Sequence, residues 1–556
     1  MANLSRTRTV FGFTSPRTIE KIIPEIKILV DDFGNQEWNT ETQIQYFRHL
    51  FASEFYEGGK MPDDIALAAR DRITRAPKAL GFIDLRPRIA LTEAGNQLLS
   101  GKRIHEVIAR QLFKFQLPSP YHVIPRTRGF NIKPYLELLR LVYTVGNLSK
   151  IEIAVFFVQM THYNMFDTIV SKIHRFRKAI SRHKGNRKAF INHVFEREIR
   201  ATYREDILAQ NTKTRESGDA SLAKFIRTKK SNHIDYADAF IRYLRATQLI
   251  TFDRRTYRMI VAPSRLQDVE HILGTVNREA VEFESETAFK EYLFQPDTLR
   301  LLTDDRRSIE RILDHLSVRY DRTADTESLK DLLEQTEATL ISRAIKETEA
   351  ALKNYKEYDD ILDVFLKIQN MEVPDPPLYL EWNVWRAMVM INYANQVKGN
   401  FTLDLDGVPL NTALGNMPDI EIEYEGFKII VEVTLSSGNR QYEMEGEPVA
   451  RHFGKVQNSS DVPVYCLFIA PRISEGALAH FYNLNRINTK AYGGKTRIIP
   501  MSLEQFVIFI TTARERGFDN AQTLRAYFDM LIQSNFDTED ESHWYHQIHE
   551  SVKTWA

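Results

Sequence analysis

From Asp419 to Tyr424, acidic and apolar side chains alternate without a break: Asp419, Ile420, Glu421, Ile422, Glu423, Tyr424. A period of two is that of a strand with one wet face and one buried face. A second apolar, β-branched run extends from Phe427 to Thr434, and only Glu425 and Gly426 lie between the two. A two-residue link ending in Gly predicts a tight hairpin, because Gly accepts positive φ. Pairing Tyr424 with Phe427 then sets Asp419 opposite Glu432. Opposed side chains of an antiparallel pair sit about 4.5–5.5 Å apart at Cβ, where like charges repel. Two carboxylates there are costly unless a cation lies between them. Hard oxygen donors suit Mg2+, with Mn2+ as its natural substitute. The chemistry this predicts is metal-dependent cleavage of phosphodiester bonds, with Asp419 and Glu432 as metal ligands. The competing reading is a solvated acidic strand face.

The surrounding pattern supplies the elements that would carry such a site. A helix from about Tyr379 to Asn395 precedes the hairpin. After it, 462–470 and 497–502 are apolar strand runs separated by a helical stretch. Helix, hairpin, helix, strand, helix describes a mixed α/β layer structure over residues 373–556. The GGKT at 493–496 is not a phosphate loop, since a Walker loop needs Gly where Thr489 stands.

Charge is divided unevenly along the chain. Net charge is zero, yet residues 1–262 carry 44 Lys+Arg against 26 Asp+Glu, while 401–450 hold two basic and ten acidic side chains. A basic half and an acidic pocket predict a nucleic-acid-facing part and a part that needs cations. Residues 1–135 read as one recognition module. Helices over Pro62–Leu80 carry Arg70, Arg72, Arg75 and Lys78, a ribbon turns at Arg86-Pro87, and another helix starts at Thr92. Residues 136–262 read as a second module, with a helix join at Gly146-Asn147, Ser149 as an N-cap, a basic run over 172–188, and a ribbon turning at Arg254 and Arg255. Arg242 and Arg245 on the preceding helix complete the DNA-binding candidates. Helix, ribbon, helix is a winged-helix-like order, and double-stranded DNA is the expected partner. Tyr243 reads as packing. Residues 263–372 read as a helical connector, with one long amphipathic run over Ser328–Ile368 stopped by Pro374, Pro376 and Pro377.

At 556 residues the chain is too long for one core. Its single cysteine, Cys466, excludes an intrachain disulfide and a thiolate zinc cluster, and its apolar neighbours predict a core thiol. No run of about 18 apolar residues and no signal-peptide stretch stands out, so no membrane association and a cytoplasmic location are expected.

Pro418-Asp419, the hairpin, and Glu432-Val433-Thr434 resemble the PD-(D/E)xK nuclease core. The longer words GNMPDIEIEYEGF, VEVTLSSG, EMEGEPVARH and YCLFIAP resemble the AlwI-type restriction endonucleases. The likeness extends to TSPRTIEKIIPEIKIL, ARDRI and LTEAG near the N-terminus, and so covers essentially the whole chain. The resemblance implies a multidomain α+β chain: two N-terminal winged-helix-like modules, a helical connector, and a C-terminal mixed α/β nuclease domain. It implies a type IIS enzyme that cuts a few base pairs to one side of a short asymmetric site, one strand per active site. It also implies a cognate DNA methyltransferase as functional companion, and a homodimer or second subunit wherever both strands are cut. Its acidic set falls on Glu381, Asp419, Glu432 and Glu445. One departure stands out: Thr434 occupies the motif's lysine position, which leaves water activation to a metal-bound water or to Glu445, with Arg451 and Lys455 as alternative sources of positive charge. The rival expectation is a non-catalytic DNA-binding regulator with a decayed nuclease fold.

Overall fold

In the computed structural model, all residues are described except 1–3, 5, 6, 17, 54, 57–59, 123–128, 354, 414, 415 and 519. The chain forms two compact units, residues 1–56 with 61–336, and residues 57–60 with 337–556. The four segments read from the sequence are thus gathered into two bodies. Residues 263–336 of the expected connector pack with the basic modules, and 337–372 with the sheet-bearing part.

Within the first unit the expected local elements form. Helices Ile65–Ile73 and Ala76–Ala79 lead into an antiparallel ribbon in which Ile83 faces Leu91, and Thr92 caps the next helix by accepting from the Gly95 N–H at 3.0 Å. Ser149 and Glu152 form a reciprocal capping box at the start of Lys150–Val155. The long helix Leu222–Arg245 precedes a second ribbon, Ile250–Phe252 against Met259–Val261. Phe13, Phe115, Tyr135, Phe240 and Tyr243 meet in one aromatic cluster, so residues from both expected modules share a core; Tyr243 is packing, as its pattern suggested. Toward the end of this unit, Arg110 forks onto Asp304 (2.6 and 2.7 Å), which Lys330 also reaches at 2.8 Å.

The long amphipathic run is two helices rather than one. Thr326–Leu352 ends ahead of Tyr355, whose left-handed backbone (φ 54°) breaks the spiral, and Tyr358–Gln369 follows. A lone positive-φ residue leaves no trace in a hydrophobic repeat.

In the second unit we label the elements in order: α1 (Tyr358–Gln369), α2 (Pro376–Ile391), β1 (Gln396–Gly399), β2 (Thr402–Leu403), β3 (Pro409–Asn411), β4 (Ile420–Tyr424), β5 (Phe427–Val433), α3 (Asn439–Asn458), β6 (Val464–Ala470), α4 (Glu475–Arg486), β7 (Ile498–Ser502), α5 (Leu503–Arg516), α6 (Ala521–Asp537) and α7 (Glu541–Ser551). Pro376 begins α2 where a missing N–H costs nothing. Five strands form one sheet in the order β7-β6-β5-β4-β1. β5, β6 and β7 are mutually parallel, while β4 is antiparallel to both neighbours. β2 and β3 make a separate small ribbon.

The hairpin register is the one read from the sequence: Tyr424 faces Phe427 and Ile420 faces Val431. Gly426 takes φ 82°, and the Tyr424 and Phe427 rings stack at the turn, 4.7 Å apart and 3° from parallel. β6 is buried along its whole length, as a central parallel strand must be. Ile430, Val449, Phe453, Cys466, Phe468 and Phe481 fill the layer between the sheet and α3–α4. Cys466 is the buried thiol its neighbours predicted. The GGKT segment is a turn: Gly493 and Gly494 take positive φ, Thr489 bridges to Gly494, and the Lys495 ammonium lies over the Phe536 ring. No helix of the described residues is long and apolar enough to cross a membrane.

Phe453 is fully buried in that layer. Phe453→Ala is expected to cost about 3–5 kcal/mol, seen as a lower denaturant midpoint for the unfolding of the sheet-bearing unit.

Candidate active site

The open end of the hairpin brings the acids together. Asp419 lies one residue before β4, beyond the last ladder pair, and its Oδ2 accepts the Val433 N–H at 2.7 Å. The carboxylate therefore caps the end of the neighbouring strand. Its own peptide is held by Asn400, whose N–H donates to the Asp419 carbonyl at 2.9 Å. The Asn400 side chain donates to the Pro418 carbonyl (2.8 Å) and to Glu421 Oε1 (3.0 Å). Glu432, near the end of β5, is 7% exposed.

Glu381 arrives from α2, is 6% exposed, and accepts the Ala413 N–H at 3.0 Å through Oε2. Glu445 lies on α3, where its Oε1 accepts from the Thr434 hydroxyl at 2.6 Å and sits 3.3 Å from the Ser436 hydroxyl. The electrostatics tie the four into one cluster. Burial pushes the Asp419 carboxyl well above the usual carboxylate range, and the charges of Glu432 and Glu445 push it further. Asp419 keeps some exposed surface, but its carboxyl group is enclosed, and the enclosure governs its ionisation. Burial raises Glu381 as well, with Asp419 as the second cause. Burial raises Glu432, followed by Glu445 and Glu381, with Arg451 in opposition.

One participant has no counterpart among the expected residues. His452, on α3, places Nδ1 2.8 Å from Glu432 Oε1. Burial, then the Arg451 charge, lowers the imidazole to about 4. It is therefore neutral at pH 7, and one proton lies between it and the carboxyl. Its Nε2 is buried with no hydrogen-bond partner among the described residues. The signal that could have found it is spacing: His452 is seven residues after Glu445, two helical turns along one face.

Arg451 and Lys455, the expected substitutes for the motif lysine, hold the turn leading into Asp419. The Arg451 guanidinium donates to Asn416 Oδ1 and pairs with Glu447, and Lys455 Nζ donates to the Asn416 carbonyl at 3.2 Å. Asn416 needs such anchoring, since its φ is 68°.

The donor set fits a hard divalent cation. Mg2+ is usually held by one or two carboxylates and keeps several waters, and Asp419 and Glu432 offer two. Like charges in one enclosed site are relieved by a proton or by a cation, and a cation leaves the carboxylates ionised. Among the described residues no group of three or more His, Cys, Asp or Glu side chains is arranged to hold a metal ion, so the protein donors here number two.

The DNA-binding candidates of the first unit fall into two groups. Arg72 is paired with the buried Glu25, Arg75 with Asp71 (2.8 Å), and Arg242 with Asp238 (2.8 Å). Arg245 is buried over the Phe252 ring, and Lys78 lies over Tyr121, where burial lowers its ammonium. Arg70, Arg86, Arg254 and Arg255 are exposed, the last three at the two ribbon turns. In the basic run, Arg177 binds the buried Glu152 at 2.7 Å and Lys172 binds Glu198 at 2.8 Å. Arg175, Lys178, Arg182, Lys184, Arg187 and Lys188 are exposed.

An acid cluster at one end of a sheet in one unit and exposed arginines at ribbon turns in the other are compatible, as a class, with an enzyme of nucleic acids. The chain belongs to the AlwI restriction endonuclease family, whose model matches residues 78–509. It is thus a DNA-binding nuclease. No protein with curated function matches it. One similar solved structure is the small subunit R.BspD6I2 of the heterodimeric restriction endonuclease R.BspD6I, 27% identical, covering 35% of this chain and 98% of that one at a TM-score of 0.31. Another is the BpuJ1 endonuclease binding domain in complex with pyrene- and phenanthrene-modified DNA, 12% identical, covering 53% of this chain and 99% of that one at a TM-score of 0.35. Superpositions this loose decide nothing further.

The raised carboxyls set a pH dependence. A carboxyl whose folded pKa is raised holds its proton more tightly folded than unfolded, so the folded state is favoured in acid. Stability contributed this way is lost as pH climbs from about 4, the unfolded carboxylate range, towards the raised values of Asp419, Glu381 and Glu432. Metal-free protein is therefore expected to melt at a lower temperature at pH 8 than at pH 5.5. Asp419→Asn, which keeps an acceptor for the Val433 N–H, should raise the melting temperature at pH 8 and flatten the difference.

Proposed function

We propose that this chain is a type IIS enzyme hydrolysing DNA with Mg2+ a few base pairs to one side of a short asymmetric site. The observation that carries the reading is the hairpin register, which sets Asp419 beside the end of β5 with Glu432, while α2 and α3 add Glu381 and Glu445 to the charges these two acids meet. The order of α2, hairpin, α3, β6, α4 and β7 supports assignment of the second unit to the PD-(D/E)xK fold. The ribbons after helices in the first unit support a winged-helix-like recognition role.

Asp419 and Glu432 would hold the metal, which when bound supplies Lewis acidity to a phosphate oxygen and to the attacking water. The chain's own residues do the rest. The Val433 N–H and Asn400 hold Asp419 in place. His452 holds Glu432 by sharing one proton with it. Glu445 stands where it can take the proton of an attacking water, and Glu381 closes the cluster from α2. Arg451 and Lys455 keep the Asn416 turn in shape and leave a positive charge beside Glu432. Exposed Arg86, Arg254 and Arg255 bind the duplex, at the phosphates or in a groove.

The described residues of one chain carry one such cluster, so one chain cuts one strand. Cutting both strands requires a second copy or another subunit, and protection of host DNA requires a companion methyltransferase.

Supercoiled plasmid should be nicked with Mg2+ or Mn2+ and left intact with EDTA, and Asp419→Ala should abolish the nicking. Metal-dependent cutting that survives Asp419→Ala would overturn the ligand assignment. Intact plasmid with the native chain, alongside specific duplex binding, would favour a non-catalytic DNA-binding regulator. Separately, Arg254→Ala with Arg255→Ala should weaken duplex binding and reduce the slope of log K against log salt by about one for each phosphate left without its arginine, read by fluorescence anisotropy.

A further inference from the structure

The residue at the lysine position of the motif is bonded to one of the acids. Strand alternation puts Glu432 and Thr434 on one face. The Thr434 N–H donates to the Ile469 carbonyl at 3.0 Å, fixing its backbone to β6. Its hydroxyl donates to Glu445 Oε1 at 2.6 Å, while the Ser436 N–H donates to that hydroxyl oxygen at 3.0 Å. A hydroxyl has one proton. With the Ser436 N–H on its oxygen, that proton is directed at the carboxylate. The Ser436 side chain, 3.3 Å from the same Oε1, adds a second donor.

Glu445 needs holding. It lies on a helix with a flexible side chain, and its charge bears on both Asp419 and Glu432. Left alone, a glutamate in that situation turns away from two like charges and into solvent. Two hydroxyl donors on one oxygen, anchored through a strand backbone, oppose that movement.

We propose that Thr434 is a positioning residue for cleavage: it holds the Glu445 carboxylate in the acid cluster, so that the ordering role of the motif lysine passes to a hydroxyl and a carboxylate. This rests on the metal-dependent reading above and adds to it the means by which the chain works without that lysine. A lysine at 434 would neutralise charge; a threonine leaves the cluster's negative charge intact for the cation and fixes only geometry.

The test uses the full chain carrying Thr434→Val, which keeps the shape of the side chain and removes the donor, and Thr434→Ser, which keeps the donor. Mn2+ affinity is measured by isothermal titration without DNA, and cleavage by plasmid nicking. Losing a partner that orients a metal-site residue typically costs about 10–100-fold in metal affinity or activity. T434V should show a loss of that size in both readouts with metal-free duplex binding unchanged, and T434S should recover most of it. In a cycle read on Mn2+ affinity, T434V added to Glu445→Gln should cost little more than Glu445→Gln alone. If T434V melts early by circular dichroism, Thr434→Ala serves in its place. Wild-type behaviour of the valine or alanine variant, no recovery in T434S, or full additivity with Glu445→Gln would each overturn the role of Thr434 while leaving the metal site standing. A native chain that binds no Mn2+ and cuts no plasmid would overturn the metal-dependent reading and this proposal together.

Discussion

Mutual repulsion among Asp419, Glu432, Glu381 and Glu445 is the constraint around which the second unit is built. Each carboxyl group has a hydrogen-bond partner that keeps it in place: the Val433 N–H, the His452 imidazole, the Ala413 N–H and the Thr434 hydroxyl. None of these partners carries a full positive charge at pH 7, so they fix position without supplying a counter-charge. Arg451 bears on Glu432 from nearby, but its guanidinium is committed to Asn416 and Glu447. The fold thus concentrates carboxyl groups where burial makes their ionisation costly. Such local conflict, sustained by a well-packed surround, is characteristic of functional sites. The surround here is a sheet whose interior strand β6 is buried at every position.

The first unit resolves charge in the opposite way. Many of its basic side chains are spent on its own acids, as when Glu152 gathers Arg177 and Arg258, and Asp304 gathers Arg110 and Lys330. The exposed basic side chains include those at the ribbon turns and along residues 175–188. A count of Lys and Arg therefore overstates the surface available to a phosphate backbone, and the exposed subset is the relevant footprint.

What could be read from the sequence was what depends on near neighbours. The hairpin, its register, the apolar strands, the Ser149 cap and the two ribbons follow from period-two alternation, a Gly in the turn and capping chemistry. All of these act over a few residues. His452 escaped because its role is set by burial against a strand twenty residues earlier. Arg72 and Arg245 looked like readers of DNA because a buried ion pair across the fold and a ring under a guanidinium leave no local mark. β1 was missed because Gln396–Gly399 is a polar edge strand with little apolar content, recruited by pairing with β4. The break at Tyr355 and the grouping of the four segments into two units depend likewise on tertiary packing. Arg451 and Lys455 were recognised as relevant, but their work is done on a backbone turn.

The stacked rings and the glycine at the tip of the hairpin lie far along the strands from the acids, yet they settle whether the acids meet at all. Because side chains alternate, insertion or loss of a single residue at that tip would change the parity of one strand against the other. The carboxylates of one arm would then be turned towards the greasy side of the sheet while those of the other stayed put. The tip is thus a switch of odd and even: a length change there that the loop does not absorb is tolerable only in twos, however distant it is from the chemistry.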